Sequence, residues 1–478
     1  MWEIFVILLL LYSGMLVASC AGFDSWISAP LGVLISAAML TNVTTCLVIF
    51  GLPTNYGISL GTVACLSLLT WGLGMRRLPT LPNVLFASAL AIVVCLITHR
   101  VHLVKVSPDS FNYLNTAALL SSDQMEHAAP NWLQLRALGV PSLHAPANHT
   151  GAYYLRSITP LLALSTVLTL SWLCLRWCRE EHSGMFSVSL SVMVGLLLLS
   201  HQRFAYHAFL INGHIFFAAM LLVIVGGSWM LANDLTQQRR GILLLQCICI
   251  PTLIVLRPDG AIFAGLALIP SFVSSKFLAL HRASLLGVLG LGVAIWHAYL
   301  WHRYALVGDY IPSTVTGMVG LGLICLLAVP ILYWQPNAPW MPWALPTIEV
   351  GLWSAVALLG LRDLPALRES VRATFHNVIL DAGGWGISLK LIALIVLVLV
   401  LISEGENRVF LRYVVTTFLP TCLVLGFLRD LPYRVGSGDS LNRMFVHILP
   451  LAVLLIGSCS HSIRFSKLGA LIARRYAQ

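Results

Sequence analysis

Long apolar segments recur along almost the whole chain, and they constrain its fold more than any other feature of the sequence. A transmembrane helix needs roughly 20 mostly apolar residues to cross a hydrocarbon core of ~30 Å. Because a backbone in lipid has to satisfy its own hydrogen bonds, such segments cross as helices. The sequence therefore predicts an all-α polytopic integral membrane protein with about 13–15 transmembrane helices. Candidate spans lie near residues 4–20, 31–52, 58–75, 82–98, 157–175, 185–200, 209–231, 241–256, 261–280, 284–301, 315–333, 344–361, 386–403, 411–428 and 444–460.

The composition excludes a soluble domain and a disordered chain. Only 10% of the 478 residues are charged and 58% are hydrophobic, whereas a soluble domain carries about 25% charged residues. The formal net charge is +10, but no run of lysine and arginine is longer than two residues, so nothing predicts binding of nucleic acid. The 11 cysteines lie mostly inside apolar segments. A free cysteine there behaves as a small hydrophobic residue, so no disulfide framework is predicted.

One long polar segment divides the chain, and no large soluble domain is predicted. Basic pairs at alternate turns, such as Arg76-Arg77 and Arg239-Arg240, place those turns in the cytoplasm and the amino terminus outside. The predicted location is the bacterial inner or plasma membrane, or the endoplasmic reticulum in a eukaryote. We predict an N-terminal four-helix transmembrane segment (1–98), an extracytoplasmic loop (99–156), a transmembrane core with short external loops (157–460) and a basic cytoplasmic tail (461–478).

The segment from Arg362 to His376 does not follow this charge pattern. It falls on the outer side in the predicted topology and yet contains several arginines. Two interpretations remain open: an amphipathic helix on the outer surface, or a miscounted span upstream. Arginines on the outer side also suit a site for lipid phosphate.

Asp109 is the first candidate for chemistry, because ionisable residues are scarce in this chain and this one directly follows the fourth span. It lies in the segment SPDSFNYL, residues 107–114. The structural interpretation is a helix N-cap or an Asx turn. The functional interpretation is a carboxylate at the mouth of a lipid-accessible cavity, able to accept a proton from an acceptor hydroxyl group.

A second polar cluster precedes and opens the seventh span. It contains Arg203, His207, Asn212 and His214, and the spacing of His207, Ile211 and His214 puts them on one helix face. A single buried histidine is usually a core residue with a satisfied hydrogen bond. Several polar side chains at one membrane interface instead favour a cavity lining. A divalent metal stays an open alternative for the two histidines, although no carboxylate is near them in the sequence.

Two external turns place arginine beside acidic residues. The RPDG turn at 257–260 has the composition of a tight turn, with a local ion pair between Arg257 and Asp259. The segment 434–443 contains glycines and ends on Arg443, where the last span enters the membrane. Arginine at an outer turn suits phosphate, because its planar guanidinium group presents a fork of N–H donors.

The order of these motifs resembles the GT-C superfamily of polytopic glycosyltransferases, which take sugar from a polyprenyl-phosphate carrier on the outer face of a membrane. The resemblance covers roughly residues 99–460. It departs from the family pattern because the acidic loop follows the fourth span rather than the first, and because no large soluble domain follows the spans. The matching landmarks are Asp109 with Tyr113, Asn212-Gly213-His214, the turn at 257–260, and Asn442-Arg443 before Pro450.

The resemblance implies an inverting glycosyl transfer to a glycolipid, polysaccharide or protein acceptor. Asp109 would be the general base on the acceptor hydroxyl group, and Arg257 and Arg443, together with Arg203, would neutralise the leaving phosphate. The implied partners are the lipid-linked sugar donor, a glycan or lipid acceptor, and membrane lipids. The polyprenyl-phosphate sugar is a substrate, no cofactor is fixed, and a divalent metal stays open. The implied substrate-binding residues are Tyr113, Arg203, His207, Asn212, His214, Arg257, Asp259 and Arg443.

Two other functions remain open from the sequence. A polysaccharide polymerase or O-antigen ligase shares the lipid-linked donor, but would normally use arginine and histidine of late external loops rather than an early aspartate. A secondary transporter would have an inverted repeat with broken spans in matching halves. No convincing internal repeat is visible, and Glu349 is the clearest carboxylate inside a span.

Overall fold

The computed structural model describes residues 1–23, 25–73, 78–101, 104–179, 184–334, 341–402, 406–428 and 432–459. These residues form α-helices and two 3-10 helices, Met125–His127 and Ala145–Thr150, with one isolated bridge between Lys105 and Leu210. The α-helices are α1 (Trp2–Cys20), α2 (Ser28–Ile49), α3 (Tyr56–Leu73), α4 (Leu81–Val101), α5 (Pro108–Ser121), α6 (Pro130–Arg136), α7 (Gly139–His144), α8 (Ile158–Arg179), α9 (Gly184–Leu199), α10 (Gln202–Ala208), α11 (His214–Ala232), α12 (Arg239–Ile254), α13 (Gly260–Val273), α14 (Ala279–Val307), α15 (Ser313–Trp334), α16 (Met341–Arg362), α17 (Leu364–Val378), α18 (Gly386–Ile402), α19 (Glu406–Leu428) and α20 (Ser440–Cys459).

The predicted class, an all-α polytopic membrane protein, is confirmed. Each of the predicted spans coincides with a helix. Within the described ranges, 11 helices are long and apolar enough to cross a membrane, or 12 if a bent pair counts as one span. The predicted spans that fall short of this length are α9, α12, α13 and α18, with 16, 16, 14 and 17 residues, and α9 reaches it only together with α10. The 11 helices are α1–α4, α8, α11, α14–α16, α19 and α20.

Contacts between helix ends define two faces of the molecule. At one face, Glu3 at the start of α1 accepts a hydrogen bond from the backbone N–H of Ser157 (2.7 Å) and pairs with His99 at the end of α4 (2.7 Å). At the other, Gly22 after α1 lies against Gln238 before α12. We call the first the loop face, because residues 104–156 lie there, and the second the opposite face.

The segment 104–156 is docked on the loop face through its backbone. The N–H of Lys105 donates to the carbonyl of Phe209 (2.6 Å), which attaches the start of the segment to the turn before α11. The N–H groups of Leu138 and Gly139 both donate to the carbonyl of Val255 (3.1 and 2.8 Å), which attaches α7 to the end of α12. These bonds bring residues far apart in sequence to one place.

A sharp break separates α9 from α10. The two helices are bent by 76° relative to each other, and the bend turns the short α10 along the loop face instead of continuing the span. The short α10 carries Arg203 and His207, and both residues are buried.

The arginine-rich segment after α16 is a separate helix, α17. Asp363 caps it by accepting a hydrogen bond from the N–H of Ala366 (3.0 Å). Asn377 near its end donates to the carbonyl of Arg434 (2.9 Å), so α17 lies at the loop face. The upstream span is present as α16, and Val371 and Phe375 on α17 are exposed. As the first interpretation predicts, the segment is a surface helix with an apolar face.

Two other predicted features lie outside the described residues. They are the basic pair Arg76-Arg77 and the tail at 461–478. The described basic residues at the turns of the opposite face include Arg239, whose guanidinium group donates to the carbonyl of Lys276 (2.8 Å), and Lys276, which pairs with Asp234 (3.0 Å).

Glycine permits a close crossing of α1 and α2. A Cβ atom placed on Gly14 would lie 1.8 Å from the carbonyl oxygen of Gly32, which is shorter than any non-bonded contact. Small residues that let two backbones approach are typical of helix pairs in membranes, where packing rather than the hydrophobic effect drives association.

We expect Gly14→Ala to lower the free energy of unfolding by about 1–3 kcal/mol, the usual cost of overpacking. The matched control is Gly61→Ala on α3, where nothing lies within 4 Å of the added methyl group. The apparent unfolding midpoint of each purified variant in detergent gives the comparison. Equal midpoints for the two variants would contradict the close crossing.

Candidate functional site

Local capping places Asp109 on the first turn of α5. The hydroxyl group of Ser107 accepts from the N–H of Ser110, and the Ser110 hydroxyl group accepts from the N–H of Ser107 (2.9 Å), which forms a capping box. The N-cap interpretation of Asp109 is not the one observed, because Ser107 occupies the cap and Asp109 contacts other segments. Ser110 also donates to the carbonyl of Ile211 (2.8 Å), which fixes α5 against the turn before α11.

The Asp109 carboxylate lies between two arginines from distant segments. Its Oδ2 accepts from Nη1 of Arg443 (2.8 Å), and its Oδ1 accepts from Nη2 of Arg136 (2.8 Å). The three side chains are 34%, 27% and 32% exposed. Burial raises the pKa of Asp109, but the hydrogen bond from Arg443 and the two positive charges outweigh burial, so the pKa lies below its usual value.

Capping also sets the position of Arg443. Asp439 accepts from the N–H of Asn442 (3.0 Å), as a helix N-cap residue does. Arg443 is then on the first turn of α20, at the loop face. The Nε atom of Arg443 is buried and has no hydrogen-bond partner among the described residues, so part of its donor fork is unused.

Tyr113 joins this ion pair to the RPDG turn. It lies one helical turn after Asp109 and is buried, with the Arg136 guanidinium group 5.9 Å from its ring centroid. Arg257 and Arg443 are also within electrostatic range of its phenol group, whose pKa is raised by burial. The predicted residues Asp109, Tyr113, Arg257 and Arg443 therefore converge.

Arg257 forms the local ion pair that the turn composition predicts. Its Nε and Nη2 donate to the two carboxylate oxygens of Asp259 at 2.9 and 3.1 Å. The side chains are 15% and 1% exposed, so this is a buried bidentate pair. Arg257 does not contact Asp109, and its charge is neutralised within its own turn.

Arg203 is held by a glycine loop that the sequence did not single out. Its Nε donates to the carbonyl of Gly383, and its guanidinium group lies against Gly384, where a Cβ would be 3.1 Å from Nη2. Asn442 donates to the same Gly383 carbonyl (3.1 Å) and accepts from Nε1 of Trp385 (2.5 Å). Arg203 is thus fixed beside the start of α20 without touching Asp109.

Asn212 orients the first of three buried histidines. Its Oδ1 accepts from the N–H of His214 (3.0 Å), so its Nδ2 faces Nδ1 of His207 (2.8 Å). Because an amide nitrogen can only donate, His207 accepts at Nδ1 and carries its proton on Nε2. The motif opening α11 therefore fixes a histidine tautomer.

His447 follows His207 and His214 in a chain of three buried histidines, and it was not identified from the sequence. Nδ1 of His214 lies 2.8 Å from Nε2 of His447, and the His214 ring is 4.9 Å from the His207 ring. His447 Nδ1 and His207 Nε2 are buried without a hydrogen-bond partner among the described residues. Helical spacing was the available signal, because His447 follows Arg443 by four residues and shares its face. Arg136 gave no local signal, since it is a single arginine in a polar loop.

Two arginines share one carboxylate at the ion pair. Arg136 and Arg443 both contact Asp109, so this group of three keeps one excess positive charge, which suits an anionic ligand. Around it, Arg257 pairs with Asp259, Arg203 lies within electrostatic range of Asp381, and Asp439 caps the helix that carries Arg443. For the metal alternative, no group of three or more His, Cys, Asp or Glu residues in the described ranges is arranged to hold an ion.

Comparison with known proteins gives no match: no family model, no curated protein and no solved structure is detectably similar to this chain. The chemistry of the site therefore has to be inferred from its own residues.

We expect Asp109 and Arg443 to be coupled by about 0.5–1 kcal/mol, since partly exposed ion pairs are screened by solvent. A double-mutant cycle measures this coupling from the unfolding midpoints, in detergent, of the wild type, Asp109→Asn, Arg443→Gln and the double variant. Because the Asp109 pKa is lowered, the coupling should persist from neutral pH to about pH 4 and fade below it. Additive single effects at pH 7 would refute the pairing.

Proposed function

We propose that this protein is a membrane enzyme, an inverting glycosyltransferase that takes sugar from a polyprenyl phosphate and uses Asp109 as the general base. The observation that carries the proposal is the Asp109 carboxylate at the loop face, flanked by arginines at the start of the last span and in the docked loop. Base and phosphate-binding groups are then within reach of one reacting centre.

The proposed reaction is a single displacement at the anomeric carbon. Asp109 takes the proton of the acceptor hydroxyl group as its oxygen forms the new bond to that carbon. The bond from the carbon to the phosphate oxygen breaks, and the phosphate leaves with the electron pair. Arg443, with Arg257 and Arg203, stabilises the developing negative charge in a partly desolvated site. Attack from the side opposite the leaving group inverts the anomeric configuration.

The histidine chain supports this site by filling the space behind it with polar contacts. His214 and His447 lie within electrostatic range of Arg257, and His207 lies within range of Arg203 and Arg443. We assign Asn212, His207 and His214 to positioning the arginines and the bound substrate. His447 joins this group, because it lies one turn after Arg443.

The loop face is proposed to face outside. Short basic turns mark the cytoplasmic side of membrane proteins, and Arg176 and Arg179 at the end of α8 with Arg239 and Arg240 at the start of α12 lie toward the opposite face. The proposed location is the bacterial inner or plasma membrane, or the endoplasmic reticulum in a eukaryote.

A feature of the spans favours group transfer over ion-coupled transport. Glu349, the clearest carboxylate inside a span, accepts from the hydroxyl group of Thr416 (2.7 Å) and lies 3.6 Å from Arg412. One clear carboxylate inside a span is little for ion coupling, which needs ionisable groups along the transport path. The charged cluster that remains for chemistry is at one face.

We expect Asp109→Asn to lower the rate of sugar transfer by about 10²–10⁴-fold, the usual contribution of a general base. The assay uses the protein in proteoliposomes with a panel of polyprenyl phosphates, each carrying one tritium-labelled sugar, and a membrane extract as the source of acceptors. The anomeric configuration of the product is determined by NMR.

The matched control is Asp309→Asn, an exposed aspartate after α14 outside the cluster, which should keep the wild-type rate. Transfer by Asp109→Asn at the wild-type rate would refute the role of Asp109 as the general base. Retention of the anomeric configuration would refute the single displacement. Transfer of a whole lipid-linked glycan instead of one sugar would assign the site to a polymerase or ligase.

A further inference from the structure

We propose that Arg136 and Arg443 form an exchangeable anion site, in which the phosphate group of a membrane lipid replaces the Asp109 carboxylate. This inference rests on the proposed function for the role of Asp109 as a base, and it adds a residue, Arg136, and an order of events. Asp109 is paired while the site is empty, and arrival of the phosphate frees it.

The geometry fits an exchange because each arginine supplies one N–H to one oxygen of the same group. The two contacts are both 2.8 Å, and they come from two segments of the chain, α6 and the start of α20. Two oxygens of a phosphate group can accept the same pair of N–H donors, since carboxylate and phosphate are both suited to the guanidinium fork.

The arginine pair is accessible and has spare donor capacity. About a third of each side chain is exposed, 32% for Arg136 and 27% for Arg443, so a ligand can reach them without unfolding of the site. The Nε–H of Arg443 is buried without a partner among the described residues. A phosphate group has more acceptor oxygens than a carboxylate and can use donors that Asp109 leaves unpaired.

The charge balance favours the same exchange. Arg136 and Arg443 share the single negative charge of Asp109, which leaves one excess positive charge in this group of three. A phosphate added to the arginine pair neutralises this excess, and Asp109 remains close enough to be stabilised by the same positive charges. Displacement of the carboxylate therefore does not leave an isolated charge in a site of low polarity.

If the exchange occurs, replacing the carboxylate and replacing either arginine should change the affinity for phosphate in opposite directions. If Asp109 competes with the phosphate for the arginines, Asp109→Asn should tighten phosphate binding by about tenfold, because a neutral amide competes less than a carboxylate. Arg136→Gln and Arg443→Gln should each weaken it by about tenfold or more. A site in which Asp109 contributed to binding would instead lose affinity in Asp109→Asn.

The test measures binding of farnesyl phosphate to the full-length protein in nanodiscs by isothermal titration calorimetry. Farnesol tests the apolar chain alone, and inorganic phosphate tests the charge alone. The matched control is Arg372→Gln, an exposed arginine of α17 at the same face, which should bind as the wild type does. Arg443→Lys keeps the charge without the fork and should lie between wild type and Arg443→Gln, and circular dichroism of each variant checks folding.

Unchanged or weaker binding of farnesyl phosphate by Asp109→Asn would overturn the exchange, even if Arg443→Gln failed to fold. Equal affinity for inorganic phosphate and farnesyl phosphate would overturn the assignment to a lipid ligand. Neither result depends on catalysis. If Asp109→Asn binds farnesyl phosphate more tightly but the protein transfers sugar from no donor, the proposed function is refuted and the exchange stands. If the protein transfers sugar but Asp109→Asn binds as the wild type does, the exchange is refuted and the proposed function stands.

Discussion

The Asp109 carboxylate joins two parts of the chain that are far apart in sequence, Arg136 in the docked loop and Arg443 at the start of the last span. All three side chains are partly exposed, so solvent screens the ion pairs and their contribution to stability is modest. Their larger effect is on the positions of the two arginine side chains. Two guanidinium groups brought together without a counter-ion would repel each other and turn away, whereas a shared carboxylate holds both forks toward one point.

Hydrogen bonds to backbone carbonyls hold the segments around this group together. Ser110 holds α5 to the turn before α11, and the carbonyl of Val255 holds α7 to the end of α12. The carbonyl of Gly383 holds Arg203 and Asn442 together. The candidate site therefore depends on the mutual docking of several loops as well as on the local caps of α5 and α20.

The sequence predicted the fold class and most of the cluster, because charged residues at a membrane boundary are costly and therefore rare. That argument found Asp109, Arg257 and Arg443 directly. It did not find Arg136, since an arginine in a polar loop carries no energetic signature until the loop is docked. The described residues contain fewer helices of spanning length than the sequence has apolar segments, because α9, α12, α13 and α18 are apolar but short. The sequence also left a capping role open for Asp109, since serine and aspartate both cap helices, and the structure gives the cap to Ser107.

If phosphate exchange operates, the proton that Asp109 accepts also governs release of the product. After transfer the carboxyl group is neutral and no longer competes for Arg136 and Arg443, so the product phosphate remains bound. Loss of that proton to solvent restores the carboxylate. The restored charge then competes with the phosphate for the same N–H donors and favours its departure. One carboxylate would thus act as counter-ion in the empty site, as base during transfer and as competitor during release, and its protonation state would set the direction of the cycle.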